Sequence, residues 1–488
     1  MPKPLEAKAA PAPAHAPIAR DLEQIAADRT LKVIFTFNST GYFIYRGETM
    51  GYEYDLLTRF AGEAHLKLKP VVVRDSKELF TRLNRGDGDV VAAQLAATTN
   101  DQEVAQTHPL YETAPVVVQR SAQPPSANTT PAVSTAIARE ERETSPGSVT
   151  VRARLVNTPA ELAGQAVHVP RTSPYRPRLL ELSDELAQDI DVVEVDETSD
   201  KLIQRLAEGE IAYTVAAENL AALKAGEYTN LIIKPEIGPP QPIVWAARRN
   251  APQLVAALDR WIDAKRKAGL LGALYRKYFL DRRGFIKRAQ SQYLTTETGT
   301  LSPFDADFRE SAKIPGWDWR LVAAQAFQES RFNPAARSWA GALGLMQIMP
   351  RTARQLRVNP ADPSQAVEGA CRYLWKLDRQ LQASIPAESE RIKFILGAYN
   401  VGLGHVEDAQ RLAKKYGDDP TSWADVGYWL IRKSKRAVYN DPVVKHGFCR
   451  GTEPVAYVDQ IMARWDNYKE FVKEESAPAP APADAQVR

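Results

Sequence analysis

Cysteine is almost missing from this chain: its 488 residues include two, Cys371 and Cys449, alongside six histidines. Neither cysteine sits in a metal-ligand spacing, which argues against a structural zinc site, and two cysteines cannot make a disulfide framework. One disulfide and two buried thiols both stay open as readings. Long apolar runs are missing as well; no stretch approaches the ~18 residues that span a bilayer. Charge of one sign is missing too. Lys and Arg number 63 against 60 Asp and Glu, a net charge of +3, and no basic run is interleaved with aromatics, so nucleic acid is not an expected partner. No motif for a cofactor or a metal is present.

What remains is a globular composition, 44% hydrophobic and 25% charged, on a chain long enough for two or three domains. Residues 1–20 and 472–488 are Pro/Ala-rich and are expected to be disordered tails. Residues 121–148 lack apolar periodicity and read as an insertion. Over 21–283 short β-branched runs alternate with helical periods, which predicts an α/β domain of mostly parallel strands. A linker is expected at 284–316. Over 317–471 strand signals vanish and helical periods dominate, predicting a mainly-α domain. The fold class is therefore multidomain, α/β followed by mainly-α.

One carboxyl group stands out in the helical part. Residues 317–327 read as a helix with the apolar stripe Trp319, Val322, Ala323, Ala326 and Phe327, and Glu329 falls at its edge while Gln328 points away. A carboxyl turned into an apolar wall has a raised pKa, as a general acid needs. The segment Gly341-Ala342-Leu343-Gly344-Leu345-Met346-Gln347 follows, and Ala398-Tyr399-Asn400 comes later. Together they point to cleavage of a glycosidic bond. No second acid accompanies Glu329 in these motifs; Asp318 lies far along the same helix.

Two resemblances extend this reading. Gly51-Tyr52-Glu53-Tyr54-Asp55-Leu56, Gly86-Asp87-Gly88-Asp89, Pro109-Leu110-Tyr111, Leu162-Ala163-Gly164 and Gly209-Glu210-Ile211 resemble, in order, the signatures of type 2 periplasmic solute-binding proteins. That resemblance implies two lobes closing on a small ligand, with Ser173 at a helix start as a contact. The chain departs from the amino-acid binders of that family: Asn100 stands where they carry an Arg, and Ala217 or Glu218 where they carry an acid. A cell-wall peptide fragment (a muropeptide) or another small ligand is expected in place of a free amino acid, or a scaffold without a ligand. Glu329-Ser330, Gly344-Leu345-Met346-Gln347, Ala398-Tyr399-Asn400 and Glu453-Pro454-Val455-Ala456-Tyr457-Val458 resemble the lysozyme-like domain of the soluble lytic transglycosylases.

The second resemblance implies peptidoglycan glycan strands as substrate and Glu329 as the catalytic residue. It would be acid and then base, giving a 1,6-anhydro sugar. Ser330 is expected to bond the substrate or Glu329, or else to cap its helix. Gly344 and Gly341 would let backbone approach a sugar, and Met346 and Gln347 would line the cleft, Gln347 donating to an acetamido group. Tyr399 and Asn400 would face the cleft, and Tyr457 would contact and position Glu329. Trp317, Trp319 and Trp339 are expected in core or rim packing, with stacking on a sugar as the alternative for Trp339 beside the glycine loop. His405 and His446, without partners in sequence, are expected at the surface. A hydrolytic muramidase, or a sensor with an inactive helical domain, are the competing readings. Wall cleavage places the protein in the periplasm, associated with the outer membrane. Since 1–20 lacks the apolar core of a signal peptide, a targeting segment is expected to have been removed.

Overall fold

The computed structural model describes residues 17–97, 103–121, 154–171 and 173–473. Asn100, the insertion beyond Ser121 and most of both tails lie outside the described residues. The chain divides into two units, 1–44 with 48–291 and 45–47 with 292–488.

Besides a short two-stranded ribbon, Phe43–Tyr45 with Glu48–Met50, the described residues hold two larger sheets, both in the first unit. Their strands are β1 (Thr30–Phe35), β2 (Lys67–Val72), β3 (Val90–Ala96), β4 (Val104–Gln106), β5 (Tyr111–Thr113), β6 (Pro115–Arg120), β7 (Ala166–Pro170), β8 (Asp191–Val195), β9 (Tyr213–Ala217), β10 (Leu231–Glu236) and β11 (Gln241–Arg248). The first sheet runs β2-β1-β3-β11-β4, with β5 also on β11; the second runs β8-β7-β9-β6-β10. Parallel pairing is confined to β2-β1-β3 and β8-β7-β9, in registers such as Thr30 with Lys67 and Asp191 with Ala166. The strands around them are antiparallel, which corrects the expectation of mostly parallel sheets. The reason is topological. β6 leaves the first lobe and β11 returns to it, so each enters its sheet against the direction of the βαβ strands already there. Apolar clusters line the second sheet, Val167, Leu179, Tyr213 and Val215 in one and Val116, Leu202, Leu206 and Ala216 in another.

The second unit is built from helices: α1 (Asp305–Ala312), α2 (Trp319–Ser330), α3 (Pro363–Leu381), α4 (Glu388–Val401), α5 (Leu403–Tyr416), α6 (Trp423–Arg432) and α7 (Thr452–Phe471). Residues 284–316, read from sequence as a linker, are folded. They contribute α1 and bury Phe285, Leu301 and Phe308. α2 is the central helix, packed on α1 and α7. Its N-terminus is capped by Asp318, which accepts from the Arg320 amide at 2.9 Å. It is buried on all sides from Trp319 to Phe327, not along one stripe.

An ion pair is sealed into this unit. Asp408 of α5 is fully buried and accepts from Lys433 Nζ at 2.5 Å and from the backbone amides of Lys445 and His446 at 2.8 Å each. Arg411 adds a further hydrogen bond. Burial pushes the Asp408 carboxyl up, but these donors outweigh it and hold its pKa well below the usual range. His405 Nδ1 lies 2.9 Å from Lys433 Nζ and is half-buried, whereas His446 stays exposed with Nδ1 3.4 Å from Asp408. Both histidines thus have partners drawn from distant sequence. Cys371 and Cys449 are buried free thiols, and burial pushes the Cys371 thiol up to about 12.

Candidate active site

The end of α2 presents Glu329. Arg331 and Phe332 follow in left-handed conformation, with φ of 52° and 60°, so the helix stops abruptly and the chain turns back. Two consecutive non-glycine residues there store strain that the surrounding packing must hold. Phe332 does part of that holding, buried against Phe308 and Phe327 with ring centroids 5.9 and 5.4 Å away.

Glu329 itself is half-buried, and its carboxyl is the deeper part. Desolvation raises its pKa to about 7, and the hydrogen bond from Tyr457 opposes that rise. The Tyr457 hydroxyl, from α7, donates to Glu329 Oε1 at 2.5 Å. A protonated Glu329 therefore carries its proton on Oε2. Among the described residues no other acid enters the surroundings that set this pKa. Asp318 sits at the far end of the helix, roughly 16 Å away by helical rise. It is engaged with Arg320 and Trp465, whose hydrogen bonds outweigh burial and lower its pKa.

The glycine-rich loop closes over this end of the helix. Two isolated antiparallel bridges, Arg337 with Leu343 and Leu343 with Ile348, fold it into consecutive tight turns. Ser330 Oγ donates to the Leu345 carbonyl at 2.8 Å, with the Ala326 carbonyl at 3.2 Å as the second acceptor in reach. It ties helix end to loop and makes no bond to Glu329. Gln347, at φ 48°, directs Nε2 to the carbonyls of Gly344 (2.9 Å) and Ala336 (3.1 Å). Its donors stitch the loop together; they are not offered to an acetamido group. The Met346 side chain is fully buried and fills the core, while its backbone carbonyl accepts from the Tyr399 hydroxyl at 2.9 Å. Tyr399 packs on Tyr373 at 5.6 Å, and burial followed by the Glu329 charge pushes its hydroxyl far up. Asn400 is exposed at the end of α4. The Tyr457 ring is buried at 6% exposure, deeper than its offset from the stripe of α7 predicts. Trp317 and Trp319 are buried, and Trp339 is fully exposed beside the loop.

Gly344 answers to the chain's own backbone. It is buried at φ +78°, and a Cβ there would lie 1.7 Å from the Pro360 carbonyl oxygen. The open space at a glycine is found instead at Gly341, whose Cβ would meet nothing within 4 Å. Because the obstacle at Gly344 is backbone, Gly344→Ala is expected to destabilise the protein by about 1–3 kcal/mol. Thermal unfolding checks this; an unchanged midpoint would show that the loop accommodates a side chain.

The first unit carries a cavity of about 870 Å³ between its lobes. Ser173 lines it, with its hydroxyl accepting from the Tyr175 amide at 3.2 Å ahead of the helix Arg176–Leu186. Arg74, Lys77, Arg171, Asp196 and Asp200 also line it. Asp200 accepts from Ser39 of the other lobe at 2.5 Å. Ala217 and Glu218 are not among its lining residues; the acids facing the cavity are Asp75, Asp196, Glu197 and Asp200.

Two family models match the chain: Transglycosylase SLT domain over residues 307–421 and bacterial extracellular solute-binding proteins, family 3, over 31–281. Glu329, the glycine loop and Tyr399 fall inside the first match, and Tyr457 lies beyond it. The chain is 31% identical to a membrane-bound lytic murein transglycosylase F of Stutzerimonas stutzeri (strain A1501), covering 91% of this chain and 86% of that protein. A protein of the same name from Shewanella pealeana is 32% identical, covering 87% of this chain and 82% of the relative. Among solved structures, a mutant of ArgBP from T. maritima is 18% identical over 53% of this chain and 99% of that one, with a TM-score of 0.41.

Proposed function

The chain belongs to the family of the membrane-bound lytic murein transglycosylases F, and on that footing we propose that Glu329 serves as both acid and base in its reaction. The protein is a peptidoglycan lytic transglycosylase, a lyase acting on glycan strands. The observation that carries the role of Glu329 is its setting: one carboxyl with a pKa near 7, gripped by Tyr457 and without a second acid among the described residues to act as nucleophile.

An ordinary glycosidase needs two carboxyl groups roughly 5–9.5 Å apart. A lone one must do both jobs in turn. Glu329 Oε2 delivers its proton to the bridging oxygen as the bond from the muramic anomeric carbon breaks, so the leaving sugar departs as a neutral alcohol. The carboxylate then takes the proton of the muramic C6 hydroxyl while that oxygen bonds to the anomeric carbon. The product is a 1,6-anhydro ring, no water is consumed, and Glu329 ends protonated as it began. A pKa near 7 suits both halves, since it makes the group neither too strong an acid to hold its proton nor too weak a base to recover it. Tyr457 and Tyr399 position the acid and the loop; Asn400, exposed at the mouth, is the side chain free to meet substrate, as are the backbone groups around Gly341.

The first unit is a binding module whose ligand is a muropeptide or similar small molecule carrying both charges, met by Arg74, Asp75 and Lys77 from one lobe and by Asp196, Asp200 and the Asp196-paired Arg171 from the other. The site of action is the periplasm, at the outer membrane; no helix among the described residues is long and apolar enough to cross a membrane. Mass spectrometry of the fragments released from purified sacculi tests the chemistry. Muropeptides lighter by one water, with no reducing end, are expected. Reducing-end products would establish a hydrolase and remove the double role of Glu329.

A further inference from the structure

We propose that Gln325 is a positioning residue for this reaction, acting on Glu329 through the Tyr457 hydroxyl; the inference rests on the reading of Glu329 as the acid. Gln325 stands four residues before Glu329 on α2, so the two side chains share a face of the helix. It is fully buried, and neither its Nε2 nor its Oε1 has a hydrogen-bond partner of ordinary geometry. Its neighbours along the helix, Leu321, Val322, Ala324 and Ala326, are buried and apolar. An amide left in such surroundings costs stability that a leucine would not, so folding alone gives no reason for it.

One turn along that face, the polar group held against Glu329 is the Tyr457 hydroxyl. That hydroxyl spends its hydrogen on Glu329 Oε1 and keeps lone pairs with nothing else to accept. An amide N–H is the matching donor. Burial and the Glu329 charge push the Tyr457 hydroxyl far up, and Gln325 works against them, as a donor to its oxygen does. A donor at the tyrosine oxygen polarises its O–H and strengthens the bond it makes to a charged Glu329. Each catalytic cycle passes through that charged state. The other titratable groups facing the pair are Tyr399 from α4 and, behind it, Tyr373 and Cys371 from α3; the 344–347 loop brings none.

The test uses the full chain and purified peptidoglycan. Gln325→Leu keeps the volume and removes both polar atoms. It is expected to slow turnover about tenfold, the scale of one hydrogen bond. It should also move the alkaline limb of the rate–pH profile to higher pH and leave the melting temperature unchanged or raised. Gln325→Met, more adaptable in a core, stands in if leucine disturbs packing. In a Tyr457→Phe background either substitution should add nothing further. A melting temperature that falls while the pH profile stays put overturns the proposal, as does a loss that adds in full to that of Tyr457→Phe. Glu329→Gln measured in parallel separates the two readings: if it turns over, the acid is elsewhere, whereas if it is dead and the Gln325 variants behave as wild type, only the relay is wrong.

Discussion

Glu329→Gln is expected to lower turnover by on the order of 10³-fold or more, with the fold intact. A general acid or base contributes roughly 10²–10⁴-fold, and here one group is asked for both. Glutamine keeps the shape and still accepts from Tyr457 through its carbonyl oxygen, so the hydrogen bond at Oε1 survives while the proton on Oε2 is replaced by an amide that cannot be transferred. Unfolding measurements should therefore match wild type or exceed it, because a carboxyl whose pKa burial has raised is destabilising once ionised. The pH dependence has the same root. Protonated Glu329 is the competent form, so the wild-type rate should fall as pH rises through about 7. Near-normal turnover by the glutamine variant, or a rate flat across that range, would remove Glu329 from the chemistry.

Asp408→Asn is expected to cost about 3–5 kcal/mol, the range for breaking one side of a buried ion pair. Lys433 Nζ is as inaccessible as the carboxylate it meets, both at 0% side-chain exposure, and the substitution leaves the lysine and Arg411 without their counter-charge. At ~2–4 °C per kcal/mol for a unit of this size, the melting transition should drop by roughly 10 °C. The same pair predicts acid lability. The folded pKa of Asp408 lies below its unfolded value, so its stabilisation is complete above the normal aspartate range and is lost as pH falls through the folded pKa. Wild type should lose stability steeply below about pH 4, and the asparagine variant should show a shallower slope. Equal slopes would mean that other carboxylates dominate.

The parts legible in sequence were those that repeat or stand in order. Alternating β-branched runs announce the two sheets, and the position of Glu329 at the edge of an apolar stripe announces its raised pKa. What sequence hid is mostly side-chain direction set by tertiary contacts. Ser330, Gln347 and Met346 each sit in the expected neighbourhood, yet each spends its polar or apolar group on the protein itself: on Leu345, on Ala336 and Gly344, and in the core. The antiparallel strands were missed because strand direction depends on where the chain crosses between lobes, which local pattern does not encode. Gln325 left a faint trace, a polar residue within a helix otherwise apolar from Leu321 to Phe327. The stripe Trp319, Val322, Ala323, Ala326 and Phe327 does not include it.

The bond between Tyr457 and Glu329 joins residues 128 positions apart, and its donor belongs to the last helix described. In sequence order Glu329 and the loop over it come first, and the hydroxyl that grips the carboxyl comes after both. On the role proposed for Glu329, competence to cut the wall waits on the docking of α7. A molecule that lacks residues 452–471 loses at one stroke the hydroxyl that grips Glu329 and a main packing partner of the helix that carries it, which is a useful safeguard for an enzyme whose substrate keeps the cell from bursting.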